Sequence, residues 1–380
     1  MAISHRYGQA GWDFPFQRPL LPPPSAWLDD LAEAYDARWF SNHGALALRL
    51  EAALARRCAR SVVLANNGTS AITAALMALG LAPGAGVVLP AFTFPATLCA
   101  VEQAGLTPVL ADVDAHSWEL SVECVEAACR GRGDIGAVLA VRVFGLCRDF
   151  SALQGWCDAR GLPLLIDAAA ALGGEFDDGR AVGAQGAMET FSLHATKVFA
   201  IGEGGAIACD PARVDVLRRV MNFGLEGGDV TSAGFNGKLS EFAAAVGLAQ
   251  GRVFDAQLAL RRAAAQAYAG FFAERHRGWG LAQTPGRPPW QAFPLLAPDA
   301  GAADALEGAL AHAGVQLRRY YRPALHLTRA AARFAARPLE QAGDLAARMV
   351  CLPMYSDWRD GELDALFDRL DDALRQLPTP

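Results

Sequence analysis

Short apolar runs and longer amphipathic segments alternate along most of the chain. Apolar residues recur at the i, i+3, i+4, i+7 spacing of a helix at Ile72, Ala75, Leu76 and Leu79. This predicts a helix that ends at Gly80. The strand candidates that follow are 87–90, 108–112, 137–143, 163–167, 188–191 and 205–209, and helical stretches lie between several of them at 95–104, 121–130 and 149–160. This alternation predicts an α/β fold in which helices cover both faces of a mostly parallel central sheet.

The two ends of the chain depart from this rhythm. The first 45 residues are rich in proline and aromatic residues, which predicts an irregular arm that packs on the rest of the protein. An alanine-rich helix is predicted at about 239–275, and a proline-glycine cluster follows it. Helices predicted at 302–313 and 361–376 alternate with strand-like pieces. We therefore predict an N-terminal arm (1–45), a large α/β domain (46–260) and a small C-terminal α+β domain (261–380).

Composition and charge exclude several classes of protein. The chain has 380 residues, of which 52% are hydrophobic, and its formal net charge is −6 at pH 7. This mild acidity argues against a basic nucleic-acid-binding face. No apolar run is long enough for a transmembrane helix, and the N-terminus lacks the apolar core of a signal peptide. The eight cysteines contain no C-x-x-C pair, so we expect a cytoplasmic protein without a disulfide framework or a metal site.

The basic residues are distributed very unevenly between the two types. Only two of the 34 basic residues are lysines, Lys197 and Lys238, and the others are arginines. Arginine replaces the charge of lysine, but its guanidinium cannot serve as a nucleophilic amine. A lysine retained in such a chain therefore either has a chemical role or has fallen where it is by chance, and its surroundings decide between the two.

Lys197 lies in a polar turn at the end of a predicted strand. The strand candidate 188–191 precedes it and a glycine-rich turn at 202–205 follows it. Open α/β sheets bind their ligands at such strand ends. Ser192 and Thr196 offer hydroxyl groups to a phosphate. The alternative is a purely structural lysine.

Two other segments fit a phosphate-bearing aldehyde cofactor. Gly68 permits a tight turn before a predicted helix, where Thr69 and Ser70 offer hydroxyl and backbone N–H groups to an anion. An ordinary helix cap is the alternative interpretation. Asp167 ends a very apolar strand, where a carboxylate is costly unless it meets a cation such as a protonated pyridine. A helix-capping aspartate is the alternative there.

Together these motifs resemble the nucleotide-sugar aminotransferases of the DegT–StrS group, which are pyridoxal-phosphate enzymes with the type I, aspartate-aminotransferase-like fold. The stretches that carry the resemblance are NGTSA (67–71), PAFTFPAT (90–97), GLTPVLADVD (105–114), LLIDAAAALGG (164–174), FSLHATK (191–197), GEGGAI (202–207), GFNGKLSEFAAAVGLAQ (234–250), YYRPALH (320–326) and LPMYSDW (352–358). The stretches 221–227 and 236–241 are most similar to members that aminate C4 of a dTDP-4-keto-6-deoxyhexose.

The resemblance implies roles for individual residues. Lys197 would carry pyridoxal phosphate covalently and then act as general base, and Asp167 would keep the pyridine nitrogen protonated. Phe94 would stack on the ring, and the phosphate would be held by Gly68, Thr69, Ser70 and Ser192. Asn236 would bind the cofactor and Lys238 the substrate, because both match a segment that reaches the phosphate and substrate region of the neighbouring subunit. This implies a homodimer with shared active sites. The positions matched near the substrate are His194, Glu203, Tyr321 and His326.

The implied reaction transfers the amino group of L-glutamate to a keto group of a nucleotide-linked sugar. Three arginines, Arg318, Arg319 and Arg322, would meet the nucleotide or the donor's carboxylate, or else form a solvated basic patch. The alternatives are a related enzyme that acts on a 3-keto sugar or a cyclitol ketone, and a non-catalytic regulator that binds pyridoxal phosphate. Relatives that are dehydratases have histidine in place of the lysine, and Lys197 argues against that activity.

The sequence departs from the family pattern at three places. Ala170 stands where relatives usually have Gln or His in contact with the pyridoxal hydroxyl. The stretch 42–45 reads Asn-His-Gly-Ala in place of Asn-x-Gly-Pro, and Arg142 occupies a position where histidine is common. The latter two lie in regions expected to touch the substrate, so they weaken any assignment of a particular sugar.

Overall fold

The structure is a computed structural model that describes residues 11–276, 278–334 and 338–377. Its strands are β1 (Ser61–Ala65), β2 (Gly86–Pro90), β3 (Thr107–Ala111), β4 (Ile135–Val141), β5 (Leu164–Asp167), β6 (Met188–Ser192), β7 (Gly205–Cys209), β8 (Leu225–Glu226), β9 (Asp229–Val230), β10 (Gly280–Leu281), β11 (Phe293–Leu296) and β12 (Met349–Leu352). Its α-helices are α1 (Leu28–Ala37), α2 (Ala45–Cys58), α3 (Gly68–Met77), α4 (Pro95–Gln103), α5 (Val122–Cys129), α6 (Ser151–Asp158), α7 (Val214–Val220), α8 (Glu241–Arg275), α9 (Ala300–His312), α10 (Glu340–Arg348) and α11 (Glu362–Arg375).

A seven-stranded sheet forms the centre of the protein. Its strand order is β1-β7-β6-β5-β4-β2-β3, and β7 runs antiparallel to both of its neighbours whereas the other pairs are parallel. The strands are almost entirely buried because helices cover both faces of the sheet. The predicted α/β fold with a mostly parallel central sheet is therefore confirmed. The register places Val141, Asp167 and Thr190 side by side, so β4, β5 and β6 end at one edge of the sheet.

A second, three-stranded antiparallel sheet lies in the C-terminal part, in the order β10-β11-β12. The 35-residue helix α8 contributes to both cores: Phe254 contacts Phe199 in the large part, and Tyr268 stacks on Phe293 in the small part. The predicted boundary at residue 260 falls inside this helix. The division into domains remains a prediction, and residues 378–380 of the last domain lie outside the described residues.

The N-terminal arm contains a regular element that the sequence analysis had not predicted. Leu31 and Ala34 are buried in α1, which packs against α8, and no proline or glycine interrupts the helix. Residues 13–18 of the arm are tied to the small part of the protein. Arg18 donates hydrogen bonds to Asp357 and Glu362, with N···O distances of 2.8 and 2.7 Å. Residues 1–10 of the predicted arm lie outside the described residues.

The described residues bear on the predictions about membrane-spanning helices, metal sites and disulfide bonds. No helix within 11–276, 278–334 and 338–377 is long and apolar enough to cross a membrane. The same residues include no group of three or more histidine, cysteine, aspartate or glutamate side chains arranged to hold a metal ion. All eight cysteines are free thiols.

Candidate active site

Asp167 ends β5 at the edge of the sheet and is only 4% exposed. Its two carboxylate oxygens have separate partners. The Thr97 hydroxyl donates to Oδ2 over 2.8 Å, and the Ala169 backbone N–H donates to Oδ1 over 3.1 Å. Thr93 extends the chain, because its hydroxyl lies 2.9 Å from that of Thr97. These contacts fix the orientation of the carboxylate.

Burial shifts the pKa values of Asp167 and Lys197 in opposite directions. Loss of water raises the pKa of Asp167, and the bonds from Thr97 and Ala169 and the charge of Lys197 oppose this. Loss of water lowers the pKa of Lys197, and the negative charge of Asp167 opposes it. The site therefore combines a lysine amine that loses its proton more readily than usual with a buried carboxylate whose negative charge is partly stabilised by the charged form of that lysine.

Lys197 is held on a tight turn between β6 and β7. Its backbone N–H donates to the His194 carbonyl over 2.8 Å. The Ala195 N–H donates to the Gly202 carbonyl over 2.7 Å, which closes the base of the loop. Gly202 has φ +95°, a backbone conformation that favours glycine. The loop projects from the same edge of the sheet as Asp167.

The first turn of α3 forms an anion cradle next to the end of β6. The Asn67 side chain accepts the Ser70 N–H over 2.8 Å, which leaves the N–H groups of Gly68 and Thr69 at the helix terminus for a ligand. An added Cβ at Gly68 would lie 2.8 Å from Cβ of Ser192, closer than such atoms approach. Glycine at this position thus lets the Ser192 hydroxyl reach the helix terminus.

These groups fit pyridoxal phosphate. Lys197 supplies the amine that bonds its aldehyde, Asp167 supplies a carboxylate for the ring nitrogen, and the cradle supplies N–H and hydroxyl donors for the phosphate. The Phe94 side chain is 54% exposed at the N-terminus of α4, where an aromatic ring is available to cover a planar ligand. The structure thus brings together the residues predicted to bind the cofactor on this subunit.

An aromatic wall adjoins the Asp167 end of the site. The Tyr321 ring stacks in parallel on Phe144 at a centroid distance of 5.8 Å and meets the Phe94 ring edge-on at 6.5 Å. Burial raises the pKa of Tyr321 well above its usual value, and the negative charge of Asp167 adds to the effect. Ala170 is partly exposed and places only a methyl group here.

A groove of about 440 Å³ lies beside the lysine turn. It is lined by Asn66, Glu203 and Lys238, among others. The His194 ring connects it with the turn, because Nδ1 lies 2.8 Å from the Thr196 hydroxyl and Nε2 lies 3.6 Å from Glu203. Lys238 donates to the Asn222 side chain over 2.8 Å, and burial lowers its pKa. The Asn236 carbonyl accepts the side-chain N–H of Asn66 over 3.1 Å.

Comparison with known proteins identifies the chain. Residues 25–371 match the DegT/DnrJ/EryC1/StrS aminotransferase family. The chain belongs to this family. Its members use pyridoxal phosphate, and the fold is that of the pyridoxal-phosphate-dependent aminotransferases, as predicted. The prediction of pyridoxal phosphate as the cofactor is therefore confirmed, whereas the roles of the cradle, Asp167 and Lys197 in binding it remain predictions.

Three relatives indicate how far the similarity extends. Protein Mb3436c of Mycobacterium bovis is 37% identical over 268 residues, which are 67% of this chain but only 64% of that protein. The dTDP-4-amino-4,6-dideoxy-D-glucose transaminase of Shigella dysenteriae is 29% identical over 351 residues, 90% of this chain and 93% of that protein. The crystal structure of DesI with its TDP-sugar product has a TM-score of 0.87 at 31% identity, and covers 98% of this chain and 96% of that chain.

One of the predicted substrate residues of this DegT-family protein, His326, lies away from Lys197 along the edge of the sheet. His326 packs against Gly343 of α10, and burial lowers its pKa while the negative charge of Asp112 opposes the shift. Asp112 follows β3, which is three strands away from β5 in the sheet. The structure therefore places His326 at the far end of the strand edge, and its role in substrate binding remains a prediction.

Two of the three arginines suggested for the nucleotide have protein partners. The Arg319 side chain is 6% exposed and pairs with Asp304 at 2.6 Å and with Glu307 at 3.2 Å. Arg322 also pairs with Asp304. Neither fits the alternative of a solvated basic patch, because acidic residues of α9 neutralise both.

Arg142 of this DegT-family protein lies behind the site and does not face the substrate. Its side chain is fully buried, and Nε donates to Glu189 over 3.3 Å. The guanidinium lies over the rings of Phe150 and Phe176, at 4.8 and 4.9 Å from their centroids. Its backbone N–H donates to the Asp167 carbonyl over 2.9 Å. The expectation that this departure touches the substrate is therefore not met by the geometry.

Thr93 and Thr97 are site residues for which the sequence analysis assigned no role. Both lie within the stretch quoted for the resemblance, four residues apart across the N-terminus of α4. That spacing places two hydroxyls on one side of a helix terminus. It was the only local signal that they act together.

Proposed function

We propose that this DegT-family protein uses pyridoxal phosphate to transfer the amino group of L-glutamate to the C4 keto group of a dTDP-linked 6-deoxy sugar. The observation that carries the proposal is the juxtaposition of the Lys197 turn, the Asp167 carboxylate and the cradle at Gly68. The sugar is supported by the similarity to the Shigella transaminase and to DesI, which was solved with a TDP-sugar product.

The residues of the candidate site have separate roles in this reaction. Pyridoxal phosphate, when bound, supplies an aldehyde carbon and a ring that accepts electrons. Lys197 Nζ would bond the cofactor and, when free, would hold and move the proton that is transferred. Asp167 holds the proton on the ring nitrogen, and its bonds from Thr97 and Ala169 keep it in place. The cradle fixes the phosphate, and the Phe94 ring limits access of water to one face.

The covalent role of Lys197 can be tested by spectroscopy. The purified protein with pyridoxal phosphate is expected to develop the visible absorbance of the lysine-linked cofactor, and Lys197→Ala is expected to lack it. Borohydride reduction followed by peptide mass spectrometry should place the adduct on Lys197 and leave the Lys238 peptide unmodified, which provides an internal control. Absence of the band from the wild type, or its persistence in Lys197→Ala, would refute the proposal.

The substrate can be tested separately with a panel of dTDP-, UDP- and GDP-linked keto sugars. Incubation with glutamate is expected to yield the mass of an amino sugar from the dTDP-4-keto-6-deoxy compound. Preferred turnover of a 3-keto sugar or a cyclitol ketone would establish the alternative enzyme. If glutamate and other amino acids all fail to convert the bound cofactor, the protein is a cofactor-binding regulator.

We propose that the active unit is a homodimer. Tyr35, Phe40 and Phe242 form an exposed aromatic patch in which ring centroids are 5.0 to 6.2 Å apart. Phe242 also lines the groove that contains Lys238, so the patch is continuous with the candidate site. An exposed apolar patch of this kind is typical of a protein interface.

Light scattering after size-exclusion chromatography tests the dimer. The wild type is expected to elute with twice the chain mass of 40.2 kDa. The double variant Tyr35→Glu, Phe242→Glu is expected to elute as a monomer. Leu327→Glu serves as a control, because Leu327 is also exposed but lies outside the patch. A monomeric wild type would refute the proposal.

A further inference from the structure

Two buried glutamines flank the lysine turn from outside the site. Gln291 Nε2 donates to the Thr196 carbonyl over 2.6 Å, and Gln250 Nε2 donates to the Val198 carbonyl over 3.2 Å. Gln250 is fully buried in α8, and Gln291 is 9% exposed in the segment just before β11. The carbonyl groups on either side of Lys197 are thus each held by a side chain from a distant part of the chain.

The surroundings of both amides are rigid. Gln250 Nε2 also donates to Oε1 of Gln257, two turns further along α8, over 2.6 Å. The buried Arg261 holds the backbone beside Gln291, because Nη1 donates to the Trp290 carbonyl over 2.8 Å and Nε donates to the Ser356 hydroxyl over 2.6 Å. The two amides are therefore fixed in position before they reach the lysine turn.

Burying these amides has a cost. Oε1 of Gln250 and Oε1 of Gln291 are both buried and accept no hydrogen bond from the residues that the structure describes. An unpaired buried acceptor disfavours folding, and an apolar side chain of similar size would avoid that cost. What the glutamines contribute is their N–H groups. That of Gln291 is directed at the peptide group that precedes Lys197, and that of Gln250 at the carbonyl of the following residue, Val198.

We propose that Gln250 and Gln291 are positioning residues that set the direction of the Lys197 amine. The direction of a side chain follows the orientation of the backbone around its Cα. Gln291 fixes the peptide group between Thr196 and Lys197, and Gln250 fixes the next but one, between Val198 and Phe199. Loss of one bond lets the turn rotate, and misplacement of a reacting group by about 1 Å can slow a reaction by about 100-fold. The inference rests on the proposed role of Lys197 and adds to it residues that touch neither cofactor nor substrate.

Hydrogen exchange of the cofactor-free protein tests the inference independently of any reaction. The variants are Gln250→Met and Gln291→Met, with Gln266→Met as the control, because it removes an exposed amide from α8 without touching the lysine turn or either glutamine. Exchange in the peptide covering 193–201 is expected to rise about tenfold in the first two variants and to stay within about twofold of the wild type in the control.

The holoenzyme provides a second readout. We expect the rate of the half-reaction with glutamate to fall at least about tenfold in Gln250→Met and Gln291→Met, while KM for glutamate and the affinity for pyridoxal phosphate stay within about threefold. Gln291→Asn shortens the amide and keeps its polarity, so it replaces Gln291→Met if thermal melting shows that the methionine variant does not fold.

The outcomes separate this inference from the proposed function. Unchanged exchange in both variants, or an equal increase in Gln266→Met, would overturn the positioning role. A wild-type protein that forms no lysine-linked cofactor would refute the proposed function, and the exchange comparison would still decide whether the amides hold the turn.

Discussion

Glu119 provides a quantitative test of the electrostatics next to the active site. It is 1% exposed and lies close to the loop that follows β4. No hydrogen bond of ordinary geometry from the described residues reaches either of its carboxylate oxygens. The Val143 backbone N–H lies near the carboxylate, and the nearest ion-pair atom is Arg148 Nε at 3.7 Å. Burial raises the pKa of Glu119 to about 8, because the charges of Arg142 and Arg148 offset only part of the loss of water.

The sign of the pH dependence follows from that shift. The pKa of Glu119 in the folded protein, about 8, exceeds its ordinary value of 4.5, so the folded state binds a proton more tightly than the unfolded state does. Between these two values the free energy of unfolding falls as the pH rises, by up to about 1.4 kcal/mol per pH unit from this group. From pH 5.5 to 7.5 the loss attributable to Glu119 is therefore about 2–3 kcal/mol.

Glu119→Gln removes the titration and keeps the size of the side chain. Urea denaturation of both proteins at pH 5.5, 6.5 and 7.5 gives the free energy of unfolding at each pH. Relative to the wild type, the free energy of unfolding of the variant is expected to rise by about 2–3 kcal/mol across this range. Glu102→Gln, at a more exposed carboxylate that pairs with Arg333, controls for a change in net charge. Parallel pH profiles for wild type and Glu119→Gln would refute the reasoning.

Three further substitutions test the site and its support. Gly68→Ala should raise the dissociation constant for pyridoxal phosphate about tenfold in an absorbance titration, because its Cβ would lie 2.8 Å from Cβ of Ser192. Asp167→Asn should retain the visible band and slow the glutamate half-reaction at least about 100-fold in stopped-flow measurements. Arg142→Met should lower the free energy of unfolding by about 3–5 kcal/mol, because it leaves Glu189 buried and unpaired, and Glu189→Gln in the same protein should recover part of the loss. Equal effects of Arg142→Met with and without the second change would contradict this last prediction.

The periodicity of the sequence was sufficient for most elements of the large sheet. Five of the six strand candidates were located within one residue at both ends, because each is a short apolar run bounded by polar residues or glycine. The candidate 137–143 extends too far, since β4 ends at Val141. Phe144 adopts φ +57° although it is not glycine, and the contacts that hold it there come from distant elements. No local pattern indicates such a turn.

Local patterns in the sequence could not predict the order of the strands in the sheet. The antiparallel pairing of β1 with β7 joins Ser61 to Cys209, almost 150 positions apart in the chain. The short strands of the second sheet were predicted only as strand-like pieces. Their pairing depends on how α8 and α11 pack, and an apolar run of four residues does not specify its neighbours.

The candidate site was predictable where one segment carries both the residue and its context. Lys197, Asp167 and Gly68 each stand at the end of an apolar run next to a turn, and this position implies the edge of a sheet. Gln250 and Gln291 could not be predicted in this way, because their role depends on contacts with a turn about 50 and 95 positions away in the chain. The same holds for Arg319, whose charge is visible in the sequence but whose acidic partners on α9 are not.

The opposing pKa shifts of Lys197 and Asp167 are also a means of activating the amine. Asp167 is the one charge identified as raising the pKa of Lys197, and it acts against the effect of burial. When a protonated ring nitrogen becomes the partner of Asp167, most of that negative charge is neutralised at close range. Lys197 then experiences mainly the loss of water, so its pKa falls further and the neutral amine is favoured. Binding of the cofactor to Asp167 is therefore expected to make Lys197 a better nucleophile, and the bonds from Thr97 and Ala169 keep the carboxylate where this exchange of partners can take place.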